Sequence, residues 1–167
     1  MSARRRCGRQ NAPMNPQSAR KKACIDETGL YLSSPTGESM RPFLREGVTV
    51  AVAAVEGNVR RGDVLLYEDA GGRQVLHRVV GKTKDGKLRM RGDNCLAAEP
   101  PLSPDLVIGR MIGYWKGERY TDCRRSLSFC LLSRLWLFLY PVRAPFLWLR
   151  ARLRRKRTEA KRPKADR

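Results

Sequence analysis

From Gly29 onward the chain is cut into short β-forming runs separated by glycine-containing turns, and this punctuation constrains the fold most. Residues 30–32 form a brief apolar run. Residues 48–55 (VTVAVAAV) alternate valine with smaller residues, the period of a strand with one buried face. Residues 64–67 follow the turn Arg61-Gly62-Asp63, residues 74–80 (QVLHRVV) follow Gly71-Gly72, and residues 88–91 follow Asp85-Gly86. Residues 106–115 (LVIGRMIGYW) close the series after a proline-rich loop at 99–104. Strands about ten residues apart predict a mostly β domain over 28–122, a barrel or sandwich rather than a βαβ fold.

The 167 residues carry 35 Lys and Arg against 16 Asp and Glu, a formal net charge of +19. A balance this basic brings nucleic acid and anionic membranes forward as partners. Its distribution decides between them. Residues 1–25 are net +7 and residues 126–167 net +10, whereas residues 26–125 are only net +2. A nearly neutral centre excludes a uniformly basic fold that coats nucleic acid. The basic stretches also lack the interleaved aromatics of a base-stacking platform, so no specific nucleic-acid partner is expected. Residues 1–27 read as a basic, disordered arm without the apolar stretch of a secretory signal. The five cysteines (Cys7, Cys24, Cys95, Cys123, Cys130) are odd in number and contain no CxxC pair. They exclude a complete disulfide framework and offer no metal-ligand spacing, so neither metal nor cofactor is expected, and reduced thiols fit best.

After Cys123 the texture changes again. Residues 127–140 (LSFCLLSRLWLFLY) are densely apolar around a single charge, Arg134; Pro141 breaks the run, and residues 146–149 add a second apolar patch. The 23 residues from 127 to 149 have the length of a membrane span. Their apolar gain of about −5 kcal/mol is offset by Arg134 and Arg143, at up to about 3 kcal/mol each. Two short segments in the membrane interface therefore fit better than a clean span, and a helix packed on the β-domain is the alternative. The expectation is a membrane-associated segment at 123–150 and a polybasic tail at 151–167, with residues 127–157 meeting an anionic membrane surface. The active side of such a protein can face either side of the bilayer.

Three places in the central domain carry chemistry. Ser39, in Thr36-Gly37-Glu38-Ser39-Met40-Arg41-Pro42, sits in turn-type sequence just before a strand. An exposed serine there suits a nucleophile whose own amide faces an oxyanion, and equally a turn serine or N-cap. His77, the single histidine, shares a strand face with Val75 and Val79. It reads as a core histidine or as the general base that a serine hydrolase needs near neutral pH. Asp93, in Arg91-Gly92-Asp93-Asn94, occupies a turn signal where an acid can orient an imidazole, with Glu99 and Asp105 as rival acids.

Taken in order, GESMRPFLREGVTVAV, RGDVLLYE, VLHRVVG, LRMRGDN and the proline-rich loop before LVIGRMIG resemble the signal peptidase I family. The resemblance covers about residues 28–115 and is to the endoplasmic-reticulum and archaeal branch, where histidine replaces lysine as base. It implies a β-rich catalytic domain that cleaves precursor proteins or peptides after small residues, the substrate pairing along an edge strand. It implies Ser39 as nucleophile, His77 as base, Asp93 as the acid of the Gly-Asp-Asn box, and Glu99 where that branch has a second acid. The family's usual N-terminal membrane helix has no counterpart in residues 1–28. Two other readings remain: a self-cleaving regulator of the related repressor-peptidase fold, and a non-catalytic membrane-binding β-domain with basic tails.

Overall fold

Each of the six β-type runs forms a strand, and together with one more they pair antiparallel in a single sheet. The computed structural model describes residues 13–160, apart from the side chains of residues 151 and 154–160. The strands are β1 (Tyr31–Ser33), β2 (Thr49–Ala53), β3 (Val64–Glu68), β4 (Gln74–Lys82), β5 (Leu88–Arg91), β6 (Val107–Lys116) and β7 (Arg119–Asp122). Their order is β1-β2-β6-β3-β4-β5, and β7 pairs with the end of β6 from Gly113 to Lys116. The additional strand, β7, returns along β6 through a turn whose Gly117 has φ +61°, a conformation that favours glycine.

The sheet is open. The expected barrel or sandwich is not formed, because β1 and β5, of three and four residues, end the sheet and do not pair with each other. Closure would need those edges to share a ladder. Instead, the proline-rich loop runs along the outer edge of β5: Glu99 N donates to Met90 O at 2.8 Å, and Leu88 and Leu102 exchange both backbone bonds at 2.8 Å. This loop blunts the edge and brings Glu99 beside the sheet.

Consecutive residues of a strand point to opposite faces, so β3 feeds two cores and is buried along its whole length. Leu66 joins Ile25, Val50, Val52, Ile108 and Phe129 on one side. Leu65 and Tyr67 join Val79, Leu88, Met90, Leu102 and Leu106 on the other.

The first core is closed by helix α1 (Pro16–Thr28), which corrects the expectation of a disordered arm over residues 1–27. Asn15 caps its start, its side chain accepting from Ser18 N at 2.8 Å, with Pro16 in the first turn. At the other end Gly29 (φ +78°) donates to Ile25 O at 2.8 Å. Asn15 also donates to the buried Glu68 at 2.9 Å and to Gly72 O at 2.8 Å, which docks the helix on the β3–β4 hairpin. The arm before Pro13 and the tail from Lys161 lie outside the described residues.

The apolar C-terminal segment forms α2 (Leu127–Phe138) and α3 (Tyr140–Ala160), so the first part of the expected tail, residues 151–160, continues a helix. Phe129, Ser133 and Leu137 recur every four residues and bury one stripe of α2 against the domain. Leu127, Leu131, Leu132, Leu135 and Phe138 stay exposed, as do Val142, Phe146 and Trp148 on α3. No single described helix is long and apolar enough to cross a membrane. The pair Leu127–Phe138 and Tyr140–Arg150 has the length and composition, but it is bent by 70°.

Replacing the fully buried Ile25 by alanine is expected to cost about 2–5 kcal/mol of stability in urea unfolding. A change near zero would return residues 16–28 to the status of a loose arm.

Candidate active site

The neighbouring residues His77 and Arg78 of β4 point to opposite faces, and this alternation organises the site. His77 is buried against Tyr67, its diagonal neighbour on β3, since Leu65 is the residue directly opposite His77. Its Nδ1 lies 2.9 Å from Glu99 Oε1 and 3.1 Å from the Tyr67 hydroxyl. That hydroxyl donates to Glu99 Oε2 at 2.5 Å. With Nδ1–H donated to the carboxylate, the lone pair of the neutral ring lies on Nε2.

Burial works against the charge of Glu99, but hydrogen bonds from His77 and Tyr67 and attraction to the imidazole outweigh it. The carboxyl is held below the usual glutamate range. Burial, and then the hydrogen bond to and charge of Glu99, push the Tyr67 phenol far above its ordinary value. Tyr67 therefore stays protonated as a donor. Burial first, and the Glu99 charge second, also raise the Cys95 thiol.

Ser39 lies in the turn between β1 and β2. Met40 and Leu44 on that turn are buried, and Leu44 N donates to Met40 O at 3.0 Å, leaving Ser39 half-exposed beside them. The loop after β5 holds its backbone: Asn94 N donates to Ser39 O at 2.7 Å, and Asn94 Nδ2 donates to Glu38 O at 3.2 Å. Gly92 lies between the Ser39 backbone and the His77 ring. A Cβ at this position would stand 2.7 Å from Ser39 O, 2.7 Å from Cys95 Sγ and 3.0 Å from His77 Nε2. Only a bare α-carbon lets the three approach. Among the described residues neither Ser39 Oγ nor His77 Nε2 has a hydrogen-bond partner.

Both residues line a cleft of about 480 Å³. One wall continues from β1 through Ser33, Ser34 and Pro35, and the other is formed by residues 74–77 of β4. Glu99 and Lys21 line it too; Lys21 is occupied by a hydrogen bond to Gln74 and stands 5.0 Å above the Tyr31 ring. Among the described residues no three His, Cys, Asp or Glu side chains gather as a metal site.

Asp93 is not the partner of His77. It receives Arg78 Nε and Nη2, each at 2.8 Å, on the opposite face of β4. An acid bonded to Arg78 cannot also reach the neighbouring side chain, so the carboxylate beside His77 is that of the rival acid, Glu99, and not that of Asp93. Asp105 bonds locally to Ser103 at 3.0 Å and does not enter the cleft lining. Sequence reasoning missed Tyr67, which reads as core within VLLYE and is joined to the site only by strand register. It also passed over Gly92, whose close approach has no local signal. Comparison of the chain with family models, with curated proteins and with solved structures finds no match in any of the three.

Two outcomes follow from this geometry. Gly92→Ala is expected to displace the Ser39 turn and lower stability by about 1–3 kcal/mol in denaturant unfolding, the usual cost of overpacking. Because the folded-state value of Glu99 is depressed, its contribution to stability is present above the ordinary glutamate range near pH 4.5 and is lost as pH falls through the lower folded value. Urea midpoints between pH 3 and 7 should therefore fall less steeply toward acid in Glu99→Gln than in the wild type. Parallel profiles would remove Glu99 from the linkage.

Proposed function

We propose that the chain is a membrane-associated serine endopeptidase of the signal peptidase I type, cleaving precursor proteins or peptides after small residues. One observation carries the reading: the imidazole is held at Nδ1 by a carboxylate and a phenol, while its free Nε2 faces the Ser39 turn across a glycine. Serine catalysis needs this division of the ring, one nitrogen anchored and the other available to move a proton. The order of the sequence boxes gives independent support.

In this mechanism the substrate lies extended in the cleft, with the β1 continuation at 33–35 as its strand-pairing wall. Ser39 Oγ attacks the scissile carbonyl as its proton passes to His77 Nε2. Glu99 stabilises the imidazolium through Nδ1–H without taking that proton, and Tyr67 fixes the carboxylate. The Ser39 amide faces the developing oxyanion. The tetrahedral intermediate collapses as Nε2 protonates the leaving amine, giving an acyl-enzyme and the first product. Water, deprotonated by the same nitrogen, then releases the acyl product and restores Ser39. The exposed apolar residues of α2 and α3, followed by the basic stretch through residue 157, support attachment to an anionic membrane surface, where precursors are presented.

The test uses the full chain in detergent with a precursor peptide carrying small residues before the scissile bond. Ser39→Ala and His77→Ala are each expected to lower kcat/KM by about 10³-fold or more, and Glu99→Gln by about 10²-fold or more. Cys95→Ser should retain activity. Equal cleavage by all variants would overturn the reading, as would loss on Cys95→Ser with Ser39→Ala active.

A further inference from the structure

A second cavity, of about 460 Å³, opens between the β2–β3 connection, β6 and helix α2, and none of the cleft residues described above lines it. Its walls are unusually basic. Arg60 and Arg61 come from the connection, Arg110 from β6, Arg124 from the segment before α2 and Arg134 from α2 itself; Glu56 and Asp63 are the only acids in the lining. Five guanidiniums against two carboxylates leave an excess of positive charge around a concave space. Asp63 is partly committed already, accepting from Arg60 N at 2.8 Å and standing 3.5 Å from Arg110 Nε. Arg60, Arg61 and Arg134 have no salt bridge among the described residues.

Two polar atoms in the lining are buried without a hydrogen bond: Arg110 Nε and the hydroxyl of Ser133, a residue only 5% exposed. A buried donor without a partner costs about 1–3 kcal/mol, so such atoms are rare unless a ligand completes them. Arg110 Nε at least faces Asp63 at 3.5 Å, whereas the Ser133 hydroxyl has no partner and lies in a cavity with three unpaired arginines, Arg60, Arg61 and Arg134. Guanidinium forks and a hydroxyl donor match the tetrahedral oxygens of a phosphate better than they match a planar or apolar group. The cavity also borders membrane-directed surface, since Ser133 and Arg134 lie between the exposed Leu132 and Leu135 on α2.

We infer that this cavity binds a phosphate group, presented either as a lipid headgroup or as a free anion. Ser133 donates to an inner oxygen, and Arg60, Arg61 and Arg134 supply the unpaired positive charge around it. The inference goes beyond the peptidase reading and does not depend on it, because it uses none of Ser39, His77 or Glu99.

The full chain is titrated with inorganic phosphate at constant ionic strength by calorimetry. It is also pelleted with phosphatidylcholine vesicles doped with phosphatidic acid, or with oleate at equal surface charge. The variants are Arg60→Gln/Arg134→Gln, at exposed positions that folding tolerates, and Ser133→Ala within the cavity. Unchanged thermal unfolding of the double variant confirms its fold. The expected result is that the double variant weakens phosphate-dependent binding by about tenfold or more while binding to oleate vesicles changes much less. A loss confined to phosphatidic acid vesicles assigns the lipid headgroup, and a loss in the inorganic phosphate titration assigns the free anion. Equal losses on phosphatidic acid and oleate would show general charge attraction and overturn the site, as would no loss in any arm. Peptidase activity is read separately: its absence with phosphate binding intact refutes the proposed function alone.

Discussion

The buried ion pair between Arg78 and Asp93 is the interaction on which the rest of the structure depends. Both side chains are almost fully withdrawn from water, a placement that is favourable only when every hydrogen bond is made. The bonds are supplied from far apart in the chain. Arg78 makes a two-pronged contact with Asp93, donates to Gly62 O at 2.9 Å, and lies over the rings of Phe43 and Phe129. The Asp93 carbonyl accepts from Trp136 Nε1 at 3.2 Å and Arg143 Nη2 at 2.7 Å. The pair thus gathers the turn before β3, the loop after β5, and helices α2 and α3. Removing either partner would strand a charge in the core.

This pair also connects the C-terminal helices to the proposed peptidase site. The residue after Asp93 holds the Ser39 backbone, and the residue before it supplies the bare α-carbon between Ser39 and His77. Tyr140 reinforces the same loop by donating to Leu96 O and carrying the Arg91 guanidinium over its ring. The helices that present apolar surface to solvent are therefore built into the scaffold that positions Ser39. A disturbance at this exposed apolar face has a short path of direct contacts to Ser39. The Arg134 and Arg143 that made a simple span unfavourable divide between the cavity lining and the Asp93 carbonyl.

The sequence by itself determined the strands and the candidate residues. Period-2 alternation and glycine turns depend on a few neighbouring residues, so six strands could be read without tertiary information, and Ser39, His77, Asp93 and the rival acid Glu99 stood out as candidates. The net +2 of the central region likewise located the charge at the ends. What only the tertiary structure decided was everything set by contacts between distant segments. The sheet stays open because β5 pairs with a loop, a choice that its four residues do not encode. The sequence favoured Asp93 as the acid beside His77, with Glu99 as its rival. They were separated only when the pleat put His77 and Arg78 on opposite faces and gave each its own carboxylate.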